Sequence, residues 1–218
     1  MQIVIHGSGK MAEVIMQLVA DSSHLVVAVI DPKQTRLAEV DAEYDLVIDF
    51  SHHLAIDNLI TDLAINPHPA IIATTGLSDE QKQAIAELSN NIPVYQDYNT
   101  SYGIAVMCQL VSLANGMLNA EYDRTLIDRH HCMKVDSPSG TSFKLANYID
   151  GELAVNSIRA GGIFGEHTLT FTSSAEEITI SHTAFNREVF AAGALKIADK
   201  LVDLANGLYN IESIYGGE

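Results

Sequence analysis

Thirteen consecutive residues, HHCMKVDSPSGTS at 130–142, hold two histidines, a lysine, an aspartate and a Pro-Ser-Gly-Thr turn. Few are apolar, so core packing does not account for the stretch. A histidine, with a reference pKa near 6.5, can hold a transferable proton at neutral pH. Lys134 supplies a fixed positive charge. Turn amides at Ser139, Gly140 and Thr141, opening the helical segment TSFKLANYI, can bind a carboxylate. The chemistry these residues suit is proton donation beside an anion trap. A metal suits them less. If 126–131 is a strand, His130 and His131 point to opposite faces, and His-His-Cys lacks zinc-ligand spacing. No metal is expected. The plain alternative is a polar turn whose histidines only cap hydrogen bonds.

A second set of residues lies at the start of the chain. GSGKMA at 7–12 follows an apolar run and opens an amphipathic segment, matching G-x-G-x-x-G/A with Ala12 in the third small position. Gly7 allows the tight turn, Gly9 lets a pyrophosphate approach the backbone, and the helix N-terminus supplies amides and dipole. Asp31, about twenty residues on, ends the second strand, where an acid accepts hydrogen bonds from an adenosine ribose and repels a 2′-phosphate. Lys33 and Arg36 are close enough to soften that repulsion, so NADH is favoured and NADPH tolerated. DFSHH at 49–53, which contains Ser51, and Thr74, Thr75 and Gly76 end the third and fourth strands, where doubly wound sheets hold their ligands. The Thr-Gly loop suits a nicotinamide ribose or carboxamide. His52 and His53 read as solvated or helix-capping.

The elements that must position these groups fall into two regimes. Up to about residue 100, the Val- and Ile-rich runs QIVIH (2–6), LVVAVID (25–31), DLVIDF (45–50), AIIATT (70–75) and IPVYQ (92–96) have the near-continuous apolar character of strands covered on both faces. Helical spacing predicts helices over 10–20 and 79–88, the latter behind a capping box at Ser78 and Gln81. PKQTRLAEVDAEY has room for one brief helix. Alternation of strand and helix predicts a parallel, doubly wound sheet of Rossmann type. From about 102 a long helix (103–119) is followed by a strand candidate in YDRTLIDRHH, and then by 162–173 and 176–186, which both alternate apolar and polar residues as antiparallel strands with one covered face do. This predicts a second, α+β domain with a mixed or antiparallel sheet. A closing helix carries Leu195, Ala198, Leu201, Val202 and Ala205 on one stripe, with Gly207 as its stop.

Composition excludes several classes of function. A formal charge of −16 repels nucleic acid and acidic membranes. No signal peptide or membrane-spanning run is read, and two cysteines are too few for a disulfide framework. A cytoplasmic protein is expected, whose anionic substrate needs a local cationic pocket.

DRHHCMKVDSPSGTS resembles the E-x-H-H-x-x-K-x-D-x-P-S-G-T-A signature of the 4-hydroxy-tetrahydrodipicolinate reductase family, formerly dihydrodipicolinate reductase. GSGKM, DFS, ATTG, YNTSYG (98–103), IRAGGIFGEHT (158–168), ITISHTAFNREVFAAGA (178–194) and NGLYNI extend the likeness over nearly the whole chain. The resemblance implies an NAD(P)H-dependent oxidoreductase of lysine and diaminopimelate biosynthesis, acting on a small dicarboxylate as a homotetramer. It implies a dinucleotide domain from 1–101 completed by a C-terminal helix at 191–218, and a substrate and oligomerisation domain at 102–190. Carried over by position, His130 is the catalytic proton donor and Lys134 a second catalytic group. His131, Lys134, Ser139, Gly140 and Thr141 hold the substrate. Gly7, Gly9, Lys10, Met11, Asp31, Ser51, Thr74, Thr75, Gly76, Asn99 and Tyr102 line the cofactor, and Asp136 braces the turn. The chain departs from the signature at Asp128, where Glu is usual, at Ser142, which replaces Ala, and at FAAG, which replaces FANG. The segment 147–157 is also shorter than in most members. The rivals are a non-catalytic NAD(H) sensor and a two-domain amino-acid dehydrogenase. The first has no use for a proton donor, and the second should ignore a planar dicarboxylate.

Overall fold

The computed structural model describes residues 1–118 and 121–216, and divides the chain into two compact units, 1–100 with 190–218, and 101–189. In the first unit, β1 (Gln2–His6), β2 (Leu25–Ile30), β3 (Leu46–Asp49), β4 (Ala70–Ile72), β5 (Pro93–Gln96) and a short edge strand, β10 (Gly207–Tyr209), form a six-stranded sheet. Its order is β10-β5-β4-β3-β1-β2, and every pair is parallel. The chain order reverses at β1, which places the crevice of a doubly wound sheet at the carboxyl ends of β1 and β3.

The strands are apolar throughout because both faces are covered. Val4, Val47, Ile72 and Val94 share one core with Ile56, Leu59 and Leu63 of α2 (Ile56–Ile65) and Ile85 and Leu88 of α3 (Asp79–Leu88). The alternate residues Ile3, Ile5, Leu46, Ile48 and Ile71 point the other way and are equally buried. Helices α1 (Lys10–Ala20) and α6 (Glu188–Leu201) also bury apolar faces. At α3 the Ser78 hydroxyl accepts from the Gln81 amide, and the Gln81 side chain accepts from the Ser78 amide, completing the expected box.

Several elements differ from the sequence reading. The C-terminal segment is not one helix. It ends at Leu201, so Val202 and Ala205 lie beyond it, and Gly207 opens β10 instead of stopping a helix. The open edge of β5 offers backbone partners to Gly207–Tyr209, and that ladder outweighs the apolar periodicity. A short helix, α7 (Ile211–Tyr215), follows, tied back by the Ile211 amide donating to the Asp97 carboxylate at 2.9 Å. Helix α2 had no reading of its own, and 217–218 lie outside the described residues.

The second unit contains α4 (Tyr102–Met117), β6 (Asp123–His130), α5 (Gly140–Ala146), β7 (Ala154–Arg159), β8 (Gly165–Thr172) and β9 (Glu177–Ala184). Residue 119, the expected end of α4, lies outside the described residues. The sheet order is β7-β6-β8-β9, with β7 parallel to β6 and the other pairs antiparallel. The sheet is therefore mixed, and β7 comes from a segment that gave no alternating pattern. Strand β8 alternates buried and partly buried residues along its length. Its inner residues Leu169 and Phe171 join Leu126 of β6, Leu145 of α5, and Ile104, Met107, Cys108 and Val111 of α4 in one core.

Candidate active site

In the first unit, the loop after β1 has the geometry that a dinucleotide needs. Gly7 sits at φ +116°, and a Cβ there would lie 2.7 Å from the Phe50 carbonyl oxygen, so only glycine fits. Its amide donates to the Ile30 carbonyl at 2.9 Å. Gly9, the N-cap of α1, has open space where a Cβ would be, and no side chain caps the amides that follow at Lys10 and Met11. These features fit a pyrophosphate seated on the helix N-terminus.

Asp31 follows β2 directly, and its carboxylate accepts from the Lys33 amide at 3.1 Å and the Gln34 side chain at 2.9 Å. Arg36 is committed elsewhere. Its guanidinium forks onto the buried Asp62 carboxylate and donates to the Asn58 carbonyl. Ser51 and Thr74 meet across the ends of β3 and β4, where the Ser51 amide donates to the Thr74 hydroxyl at 3.0 Å. Thr75 and Gly76 continue into an exposed loop, with Gly76 at φ +75°. The Asn99 carbonyl accepts from the Tyr95 hydroxyl at 2.9 Å, and Tyr102, the first residue of α4, belongs to the second unit and is half exposed. His52 caps a short 3-10 turn by accepting from the Leu54 amide, and His53 stacks on it.

One feature of this unit had no sequence reading. His6 and Asp49, both buried, are joined at 2.7 Å at the ends of β1 and β3, and Asp49 also accepts from the Ser51 hydroxyl at 2.5 Å. The parallel register that pairs His6 with Asp49 was the missing information.

In the second unit, Asp128 and His130 occupy the last turn of the pleat of β6. Two residues apart on a strand, they share a face, and the His130 Nδ1–H donates to Asp128 Oδ1 at 2.6 Å. The Asp128 carboxylate is fully buried and also accepts from the Ser139 amide at 2.6 Å, the Ser142 hydroxyl at 2.9 Å and Arg159 at 3.0 Å. Burial pulls its pKa upward. The hydrogen bonds from His130, Ser139, Arg159 and Ser142 outweigh burial and hold it well below the usual carboxylate range.

Since Nδ1 is occupied, Nε2 is the nitrogen of His130 that can act. It faces Gly165, where a Cβ would press within 3.2 Å of it. His131 falls just past the end of β6 and is partly exposed. Burial, and then the positive charges nearby, lower its pKa and favour its neutral form. Lys134 Nζ lies 2.9 Å from Asp136, whose carboxyl is raised by burial but held lower by Lys134 and by the Gly140 amide. Asp136 is thus on two of the donors expected to receive a substrate carboxylate.

Ser139 departs from its expected use. Its amide serves Asp128, and its hydroxyl meets the Ser142 amide at 3.2 Å and His167 Nε2 at 3.0 Å, so its donors turn inward. Thr141 is also buried. Asp128, His167 and Arg159 are the residues that sequence reasoning missed. The period-two spacing of Asp128 and His130 was a usable signal, while Arg159 and His167 come into place only through the pairing of β7 and β8 with β6. Asp128, His130 and His167 bring possible metal-ligand atoms within 4.8 Å of one another. The Arg159 guanidinium already sits on the same carboxylate, and a metal ion there would face that charge.

Comparison with known proteins agrees over the whole chain. Residues 1–100 match the family described as "Dihydrodipicolinate reductase, N-terminus", and residues 103–215 match "Dihydrodipicolinate reductase, C-terminus". The chain is 38% identical to the 4-hydroxy-tetrahydrodipicolinate reductase of Caldanaerobacter subterraneus subsp. tengcongensis, covering 98% of this chain and 97% of the relative. It is 34% identical to that of Thermosipho africanus, covering 97% and 95%. Among solved structures, the dipicolinate-bound dihydrodipicolinate reductase from Paenisporosarcina sp. TG-14 matches with a TM-score of 0.76 at 20% identity, over 98% of both chains. The Corynebacterium glutamicum DAP dehydrogenase shares the fold more distantly, with a TM-score of 0.59 at 9% identity.

The buried histidines make stability depend on pH. Burial pushes the pKa of His167 down to about 3 from its ordinary 6.5, and lowers that of His182 as well. A histidine that stays neutral in the fold but takes a proton when unfolded supports the fold fully above its unfolded pKa. That support is lost as pH falls from about 6.5 towards 3. His167 alone should lower unfolding stability by about 2 kcal/mol between about pH 7.5 and pH 5. Urea midpoints across that range measure it, and a flat profile would show that the histidines are not held neutral.

Proposed function

The chain belongs to the dihydrodipicolinate reductase family, and on that premise we propose that it reduces 4-hydroxy-tetrahydrodipicolinate to tetrahydrodipicolinate with NADH, in lysine and diaminopimelate biosynthesis. The observation that carries this reading is the Asp128–His130 pair, 2.6 Å apart, which leaves Nε2 of His130 as an oriented donor beside Lys134 and the 139–141 turn. The reduced nicotinamide, when bound, supplies a hydride to the conjugated imine of the substrate ring, from which the 4-hydroxyl is lost as water.

The protein's own residues do the rest. Gly7, Gly9, Lys10 and Met11 seat the pyrophosphate, and Asp31 takes the adenosine ribose. Ser51, Thr74, Thr75, Gly76, Asn99 and Tyr102 complete the cofactor set. Lys134, with His131, Gly140 and Thr141, holds the substrate, whose carboxylate meets Lys134 in place of Asp136. His130, protonated on both nitrogens, gives from Nε2 the proton that matches the hydride, while its Nδ1–H stays bonded to Asp128. Ser139 contributes from behind, by fixing Asp128 and His167.

His130→Gln is expected to lower kcat by roughly 10²–10⁴, the range for a general acid. Lys134→Ala is expected to lower kcat/KM roughly ten- to a hundredfold, through loss of a charge-assisted contact worth about 1.5–3 kcal/mol. The assay condenses pyruvate and aspartate semialdehyde with a separate synthase and follows NADH absorbance with and without this protein. No loss of absorbance, from protein shown to bind NADH, would overturn the reading. Retention of kcat by the His130 variant would move the proton to another donor.

The coenzyme preference follows from Asp31 and from the pairing of Arg36 with Asp62, which leaves Lys33 as the nearby cation not held by that pair. NADH should exceed NADPH in kcat/KM by about tenfold, the effect of about 1.4 kcal/mol. Lys33→Ala should lower the NADPH rate alone, and equal rates with both coenzymes would remove Asp31 from the selecting role. The same reading extends to a cytoplasmic homotetramer. Its mass in solution should be four times 23.6 kDa, and light scattering that returns the monomer mass would exclude the tetramer.

A further inference from the structure

Two departures from the family signature, Asp128 for Glu and Ser142 for Ala, are distant in sequence but touch in the fold, with the Ser142 hydroxyl 2.9 Å from Asp128 Oδ2. An ionised carboxylate only accepts hydrogen bonds, at about four lone-pair sites, so the direction of that bond is fixed. Asp128 has all four filled, with a fifth and longer contact from Arg159 to Oδ2 at 3.4 Å. His130 Nδ1 and Arg159 serve Oδ1, and the Ser139 amide and Ser142 hydroxyl serve Oδ2. Asp128 is fully buried and Ser142 nearly so, which leaves no solvent to replace a lost donor.

We propose that Asp128 and Ser142 act as one positioning unit that keeps the Nδ1–H of His130 on Asp128, so that Nε2 is the nitrogen that takes up and then gives the reacting proton. The Ser142 hydroxyl supplies the hydrogen bond and the volume that fit a carboxylate one methylene shorter than glutamate. Asp128 does not exchange a proton with substrate; it acts through His130, and Arg159 balances its charge. The proposal rests on His130 being the proton donor.

The geometry makes the two positions interdependent. Asp128→Glu alone pushes an extra methylene against the Ser142 hydroxyl in a closed space. Ser142→Ala alone leaves Oδ2 one donor short, free to turn away from its present alignment on His130. Asp128→Glu with Ser142→Ala removes the overlap, and the added methylene fills the space of the lost hydroxyl, so the carboxylate is held in place by packing although it has one donor fewer. Residues in one hydrogen-bond network couple in this way, whereas independent sites add.

The test is the full cycle of three variants in the intact protein, read in two ways. Each single variant is expected to lower kcat about tenfold with the KM for NADH unchanged, and the double variant to return within about threefold of the parent. Independently of turnover, long-range proton–nitrogen spectra of the imidazoles, taken at alkaline pH so that the ring carries one proton, should show that proton of His130 on Nδ1 in the parent and the double variant, and a mixture of tautomers in Ser142→Ala. Ser142→Ala, the mildest change, keeps the test usable if Asp128→Glu fails to fold. Additive losses, or an unchanged His130 tautomer in Ser142→Ala, would overturn the proposal. If the parent turns nothing over, the reductase reading fails, while the spectra still decide whether the pair sets the tautomer.

Discussion

The second unit is organised around one buried negative charge. An ionised carboxylate withdrawn from water is tolerated only when charge and hydrogen bonds compensate it, and removing one partner of such a group is costly. Asp128 finds its partners on four different pieces of chain. They are His130 on its own strand, Arg159 on β7, the Ser139 amide in the turn, and Ser142 in the first turn of α5. The carboxylate thereby ties the loop 131–139, the short helix and the parallel edge strand to the end of β6. A seven-residue helix and a loop rich in Pro, Ser and Gly would not hold a histidine in place unaided. The placement of His130 comes from the charge beneath it.

The first unit uses a related device for another purpose. Asp49 is also fully buried at a strand end and also bonded to a histidine, yet His6 lies under the sheet end with 3% exposure. That pair joins the carboxyl ends of β1 and β3, and Ser51 and Thr74 extend it to β4. What it supports is backbone placement. Gly7 passes so close to Phe50 that the crevice keeps its shape only while β1 and β3 stay in register. In each unit, a covered sheet makes an environment in which an unpaired carboxylate would be costly, so the polar groups at its strand ends are held in networks.

These networks mark the limit of what the sequence discloses. Local signals were legible. The spacing of apolar residues located α1 and α3 to the residue, and Ser78 and Gln81 formed the predicted box. The two glycines of the first turn have the geometry their motif requires. Signals that depend on which strand lies beside which were not legible. Nothing in NGLYN announces an edge strand until β5 is there to receive it, and Arg159 reaches Asp128 only because β7 runs parallel to β6. The site shows the same division. His130 and Lys134 stand out by residue type, while Asp128, Arg159 and His167 gain their meaning from pairing. Ser139 was misjudged because a Ser-Gly-Thr turn looks alike whether its donors face a ligand or a buried carboxylate.

Net charge and local charge must be reconciled for any site that takes an anion. The chain carries −16, and three of its cations near the site are already paired, Arg129 with Glu166, Arg159 with Asp128, and Lys134 with Asp136. Such a surface does not attract polyanions from a distance, because screening at physiological salt limits exposed charges to about 8 Å. If the substrate binds as proposed, its binding is an exchange, in which one acid on Lys134 and the Gly140 amide is replaced by another. An exchange leaves the local charge balance nearly unchanged, so attraction by charge alone contributes little to it. Selection must come from what the rest of the ligand offers, namely a second carboxylate and a ring whose reacting atom can meet Nε2 of His130. On the proposed function, Asp136 is the acid that an incoming carboxylate must displace from Lys134 and the Gly140 amide, so the acidity of the chain reaches into the site itself.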